Sequence, residues 1–270
     1  MLKTLRGKTV LVTGASEGVG KACAERLVEE GANVVMIARR EAVLQTVADG
    51  IGKPDQVLTI ARDLTDLDAL PDLIEAATRH FGRLHGLVNN AGFNARGALD
   101  SIAPSEVSRI IALNLTVPVL LTQCALPRLK AHAEGSIVNV ASLAGMVAMP
   151  HEATYSASKH GLRGFSFSLA EELVGTGVSC SVVSPGPIDT GFIRHDLDTV
   201  PDYVFSQPVS SALDVAECVL DCLKSGARER AIPKQSARLA KVGALLPGLA
   251  RSLRPALSRK GAKVKRRYQS

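Results

Sequence analysis

The chain has 270 residues, 46% of them hydrophobic and only 3% aromatic, with no tryptophan. It is long enough for one large α/β domain or two small ones, and its core must be aliphatic. Five scattered cysteines (Cys23, Cys124, Cys180, Cys218 and Cys222) exclude a disulfide framework, and the net charge of +6 conceals a division: residues 1–223 hold 18 Lys and Arg against 25 Asp and Glu, residues 224–270 hold 14 against 1.

From Met1 the chain runs through Lys8 directly into an apolar strand, leaving no room for a signal peptide. No apolar run approaches the roughly 18 residues of a membrane span, so a cytoplasmic protein is expected. Strand-like runs recur at Thr9–Thr13, Asn33–Ala38, Gln56–Ala61, Gly86–Asn89, Ser136–Ala141 and Val178–Ser184, with a short one near Arg230–Pro233. Helix-length stretches separate them, which predicts a parallel sheet covered on both faces. One domain over residues 1–233 is expected, with 234–270 appended.

The first strand runs into Thr13-Gly14-Ala15-Ser16-Glu17-Gly18-Val19-Gly20 and then a helix. Glycines in this context let the backbone turn tightly and bring amides and a helix N-terminus against a pyrophosphate. The second strand ends in Ala38-Arg39-Arg40, where arginine suits the 2′-phosphate of NADP, so NADP(H) is favoured over NAD(H). Gly31 and Gly177 are placed as left-handed caps ending the first helix and the one that carries Tyr155. Pro104-Ser105 opens a long helix through Lys130, which Pro118 should kink one turn after Asn114. Ser142 follows the fifth strand. Tyr155 and Lys159 lie four residues apart on a helix, stacking phenol and ammonium on one face, so that the charge would lower the phenol's pKa and let it act as acid or base.

Taken together, these residues resemble the short-chain dehydrogenase/reductase family from about Lys8 to Pro233. The resemblance is carried by the glycine loop at 13–20, Asp63, Asn89-Asn90-Ala91-Gly92, Asn114, Ser142, Tyr155, Lys159 and Pro185-Gly186-Pro187-Ile188-Asp189-Thr190. It implies a Rossmann-type, doubly wound, seven-stranded parallel sheet of order 3-2-1-4-5-6-7. It also implies Tyr155 as proton donor or acceptor, Ser142 polarising the carbonyl, Lys159 lowering the tyrosine's pKa and holding the nicotinamide ribose, and Asn114 anchoring a water. Asp63 and Leu64 would bracket the adenine. Asn90, Ala91 and Gly92 would line the cofactor, with Pro185 and Gly186 beside it, and Ile188 and Thr190 would meet the carboxamide. Ser16 would join Arg39 and Arg40 at the phosphate, although Glu17 stands where NADP-preferring relatives often carry a base. The family's substrate lid falls at about 187–210. Met149, His151 and Phe192 are the candidate substrate contacts, and the lid's concentration of apolar and aromatic residues suggests a hydrophobic substrate. Relatives usually pair into homodimers or homotetramers through helices at 105–130 and 153–175.

No metal is expected, because the histidines show no ligand spacing. In the tail, Leu239, Val242, Leu246, Leu249, Leu253 and Leu257 recur at steps of three and four among cations, while Pro247 and Pro255 would break or kink a helix. Such a stripe can lie on an anionic bilayer, or dock on the acidic body or a sister subunit. Nucleic acid is disfavoured, since only Tyr268 could stack on a base. The expectation is an NADP(H)-dependent enzyme interconverting a hydrophobic ketone or aldehyde and an alcohol. An acyl-carrier-dependent 3-oxoacyl reductase and a non-catalytic nucleotide sensor are the alternatives.

Overall fold

Short aliphatic runs bounded by turns form seven parallel strands: β1 (Thr9–Thr13), β2 (Asn33–Ala38), β3 (Val57–Ala61), β4 (Gly86–Asn89), β5 (Gly135–Val140), β6 (Val178–Pro185) and β7 (Glu229–Ile232). The computed structural model describes residues 1–191 and 197–269. The sheet order is β3-β2-β1-β4-β5-β6-β7. Alternation along each strand supplies two cores. Val10 and Val12 of β1 pack with α1 (Gly18–Glu29), α2 (Glu41–Ile51) and α7 (Ala212–Ser225). Leu11, opposite Val35 and Leu87 in the neighbouring strands, packs with α3 (Leu70–Phe81), α5 (Val117–Lys130) and α6 (Ala153–Glu172). Each fully buried Val or Leu contributes about 1.5–3 kcal/mol, so the aliphatic core needs no tryptophan. The order reverses between β1 and β4, and the loops leaving those two strands open the crevice where such sheets bind ligands.

α4 (Pro104–Ile111), a π turn at Ala112–Thr116 and α5 form one continuous helical stretch. Pro118 has no N–H to offer the Asn114 carbonyl one turn earlier, which accounts for the irregularity lying at that place. By length and composition Pro104–Lys130 would pass for a membrane span, which corrects the expectation that no segment reaches that length. Its Val117, Leu121, Ala125 and Leu129 instead pack against the sheet.

Gly177 does not cap α6, which ends at Glu172 with Leu173 beyond it. It turns the chain into β6 at φ +78°, where a Cβ would collide with the Ala133 carbonyl. α7 begins with a capping box in which Ser211 Oγ accepts from the Asp214 N–H at 3.1 Å and the Asp214 carboxylate accepts from the Ser211 N–H at 2.9 Å.

The basic tail forms α8 (Lys234–Leu245) and α9 (Pro247–Gln269). Pro247 separates them, occupying the first turn of α9, where its missing N–H has no cost. Pro255 lies inside α9 without ending it. α9 folds back over the lid. Gly261 meets the Asp202 carbonyl and the Ser206 amide so closely that a Cβ has no room, and Lys265 Nζ, itself buried, donates to the Val200 carbonyl at 2.7 Å and the Asp198 carbonyl at 3.3 Å.

Candidate active site

The site is assembled at the carboxyl ends of β1, β4, β5 and β6. Its base is a buried polar rung, in which Asn89 Nδ2 donates to Asn139 Oδ1 at 2.8 Å and to Thr122 Oγ1 at 3.1 Å, while Asn139 Nδ2 donates to Ser166 Oγ at 2.8 Å. This rung ties β4 and β5 to α5 and α6, so the loops leaving those strands start from fixed positions. Asn90 Nδ2 donates to the Thr13 carbonyl at 3.0 Å, joining the β4 loop to the glycine loop.

The glycine loop approaches its neighbours closely. Gly14 takes φ +67°, and a Cβ there would stand 3.0 Å from Ala91 Cα; Gly18 takes φ +54° beside Thr190. Glu17 precedes α1 in extended conformation with no side chain capping the helix, which leaves the first-turn amides directed at the groove. Gly14, Ser16, Glu17, Gly18, Val19, Arg39, Arg40, Asp63, Leu64, Asn90, Ala91, Gly92, Pro185, Gly186, Ile188 and Thr190 line one continuous groove. Gly20 lies beneath it, against Gly14 and the Asn90 amide. Backbone amides at a helix start, arginine at the end of β2 and glycine wherever the walls come close fit a nicotinamide dinucleotide.

The groove continues into a cleft with a joint volume of about 700 Å³. At the junction stand Ser142, Tyr155 and Lys159. The Tyr155 and Ser142 hydroxyls are hydrogen-bonded, and Ser142 Oγ accepts from the Ala144 N–H at 3.1 Å. Lys159 Nζ donates to the Val140 carbonyl at 2.9 Å and lies 5.8 Å from the centre of the Tyr155 ring. Asn114, fully buried, is no solvated helix residue: its Oδ1 accepts from the Phe93 N–H at 3.0 Å, and its Nδ2 donates to the Phe93 carbonyl at 2.9 Å and to Ser158 Oγ at 3.2 Å. It therefore splints the loop after β4. A Cβ at Gly92 would stand 2.9 Å from Asn114 Oδ1, so glycine is what lets this loop pass the asparagine amide.

The electrostatics correct one expectation. Burial, reinforced by the Glu152 carboxylate, pushes the Tyr155 phenol up to about 12, although the Ser142 hydrogen bond and Arg96 pull the other way. Burial also lowers Lys159 to about 8. The ammonium is tied to a carbonyl and sits off the phenol's ring, and it does not outweigh these effects.

Glu152 and Arg96 are cleft residues that spacing did not reveal. Arg96 Nε and Glu152 Oε1 are 2.8 Å apart, with side chains only 7% and 6% exposed. The available signal was an acid three positions before Tyr155, at the start of the same helix. Met149 lines the cleft. His151 does not: its φ of +63° accompanies an exposed side chain beside a separate depression with Arg96, Asp198 and Lys265, while the next residue, Glu152, is buried in the cleft. Phe192 lies outside the described residues.

A family model described as short chain dehydrogenase matches residues 8–200. The chain belongs to the short-chain dehydrogenase/reductase family. Among the relatives of this dehydrogenase/reductase is the ketoacyl reductase HetN of Nostoc, 34% identical over 84% of this chain and 79% of that protein. The 3-oxoacyl-[acyl-carrier-protein] reductase FabG of Vibrio cholerae is 38% identical over 70% of this chain and 77% of its own. The D-beta-hydroxybutyrate dehydrogenase of Cupriavidus necator is 34% identical over 72% and 76%. A crystal structure of the 3-ketoacyl-(acyl-carrier-protein) reductase of Brucella melitensis complexed with NADH superposes with a TM-score of 0.78 at 28% identity, over 85% of this chain and 98% of that one. The family acts on CH–OH and C=O groups with a nicotinamide cofactor, and this chain is accordingly an oxidoreductase of that class.

Proposed function

We propose that this dehydrogenase/reductase reduces a hydrophobic ketone or aldehyde with NADPH. The observation that carries the reading is the hydrogen-bonded Tyr155–Ser142 pair at the junction between the dinucleotide groove and an apolar cleft. A bound dihydronicotinamide supplies hydride to the carbonyl carbon. The two hydroxyls hold the carbonyl oxygen, and Tyr155 gives its proton to that oxygen as the charge develops. A phenol whose pKa burial raises is protonated near neutral pH, the form that carbonyl reduction draws on. Lys159, an ammonium below about pH 8, is the buried cation beside it that can replace the proton.

Preference for NADPH is supported by Arg39, which lines the groove near enough to Asp63 to help depress its carboxyl. Arg40 contributes less, being paired with Glu17 at 3.0 Å. The cleft's hydrophobic wall includes Leu239, Val242, Leu246, Leu249 and Leu253 of the tail, each still about half exposed. That half-open leucine rim among the tail's cations also supports peripheral contact with an anionic bilayer from the cytoplasmic side. Pairing into a homodimer or homotetramer accords with the family. Recognition of an acyl-carrier-linked substrate is the second reading, favoured by the relatives named as acting on that class.

A screen of aliphatic and cyclic ketones followed by nicotinamide absorbance tests the first reading. Turnover with NADPH that falls about 10²–10⁴-fold in Tyr155→Phe, with dinucleotide binding retained, is expected; full activity in that variant refutes the assignment. Arg39→Ala should weaken NADPH binding and leave NADH binding nearly unchanged. An unaltered ratio of the two removes Arg39 from phosphate recognition.

A further inference from the structure

Among the described residues, nine buried side-chain atoms lack a hydrogen-bond partner, and four of them belong to Asn94, Tyr203 and Gln207. All three residues line the substrate cleft. They are both amide atoms of Asn94, the Tyr203 hydroxyl and Gln207 Oε1. Buried polar atoms are nearly always paired, so a concentration of orphans in one cleft marks a place where a ligand completes the pairing.

Their backbones are anchored independently. Asn94 follows Phe93, whose amide and carbonyl are both held by the Asn114 side chain. Tyr203 lies in the 3-10 turn Asp202–Ser206, which Gly261 of α9 contacts directly, and Gln207 ends that turn. Lys265 holds the segment just before it. The orphans are therefore pre-positioned rather than waiting for the loops to fold. Tyr203 lines the same cleft as Tyr155 and Glu152, and the Glu152 carboxylate helps raise both phenols. Arg96 is paired with Glu152, and the cation beside Tyr203 is Arg254, whose guanidinium lies 5.8 Å from the centre of that ring.

We propose that Asn94, Tyr203 and Gln207 form a polar subsite within the apolar cleft that takes a neutral group able both to donate and to accept hydrogen bonds, an amide or a hydroxyl. The substrate is then an amphiphile: a reducible carbonyl, a neutral polar group near it, and an apolar chain lying along the leucines of α8 and α9. Asn94 dictates the double requirement, since its open amide presents a donor and an acceptor together. This inference rests on the carbonyl-reductase reading and adds the substrate's second functional group.

The test compares kcat/KM with NADPH for three probes of equal length: an alkan-2-one, a 4-hydroxyalkan-2-one and an N-alkyl-3-oxobutanamide. The wild type should prefer at least one polar probe to the plain ketone by about tenfold or more. Asn94→Leu and Gln207→Leu should each reduce that preference severalfold, and Tyr203→Phe, which removes one oxygen, guards against a lid that fails to fold. Thermal melting separates binding from structure: removing an orphaned polar atom should hold or raise Tm without substrate, whereas a structural role requires it to fall. No preference in the wild type, or a preference retained in all three variants, overturns the subsite. Absence of turnover on every probe overturns the carbonyl-reductase reading, and the subsite with it.

Discussion

At the scale of single residues, Tyr155 shows how a buried acid is poised. The Tyr-x-x-x-Lys spacing correctly brings phenol and ammonium to one helix face, but the sign of the phenol's shift depends on burial and on Glu152, which spacing does not display. Glu152 reaches Arg96 across 56 positions of sequence, a meeting that only the folded chain reveals. Replacing Glu152 with Gln removes the carboxylate that opposes phenolate formation, so the phenol's pKa falls. Alcohol oxidation, which needs the phenolate, should then rise at lower pH than in the wild type; pH–rate profiles of both proteins measure this, and coincident profiles contradict the argument. The same substitution removes the carboxylate that Arg96 pairs with in the buried cleft, which a thermal melt should register as a lower Tm.

Elements were legible where local pattern and tertiary use agree. The strand runs and the glycine loop were readable because aliphatic alternation and turn residues act within a few positions. Gly177 was misread because a glycine just past a helix suggests a cap, whereas its true constraint is the Ala133 carbonyl more than 40 residues away in sequence. Pro255 failed to end α9 because its lid contacts favour continuing the helix. α9 itself appeared in the sequence as a basic amphipathic stripe, with an anionic bilayer, the acidic body and a sister subunit all open as its destination. That destination makes a prediction: Gly261→Val drives a side chain into the Asp202 carbonyl and the Ser206 amide and lifts α9 from the lid. KM for a long-chain ketone should rise about tenfold or more, while that for a short ketone changes little. Equal effects on both would mean that α9 does not shape the outer cleft.

Across the whole molecule, charge and hydrophobicity are segregated. The acidic body carries the reacting groups, and the basic tail provides an open leucine rim, with Leu245 80% exposed. The strong cationic excess beyond residue 223 was evident from composition; that Leu239, Leu246, Leu249 and Leu253 face both cleft and solvent required the fold. Vesicles rich in anionic lipid should therefore co-float the 270-residue chain, and Leu245→Glu should weaken that recovery severalfold. Recovery equal to that on neutral vesicles, or unaffected by the substitution, would argue against bilayer contact.

Lys265 directs its ammonium at the carbonyls of Asp198 and Val200, more than sixty positions upstream, and at the Asp202 carboxylate 3.5 Å away. The nucleotide half of the molecule owes nothing to that tether, whereas the mouth through which a bulky guest must pass depends on it. Trading α9 for the tail of a relative would accordingly change which molecules are admitted while leaving the hydride chemistry in place.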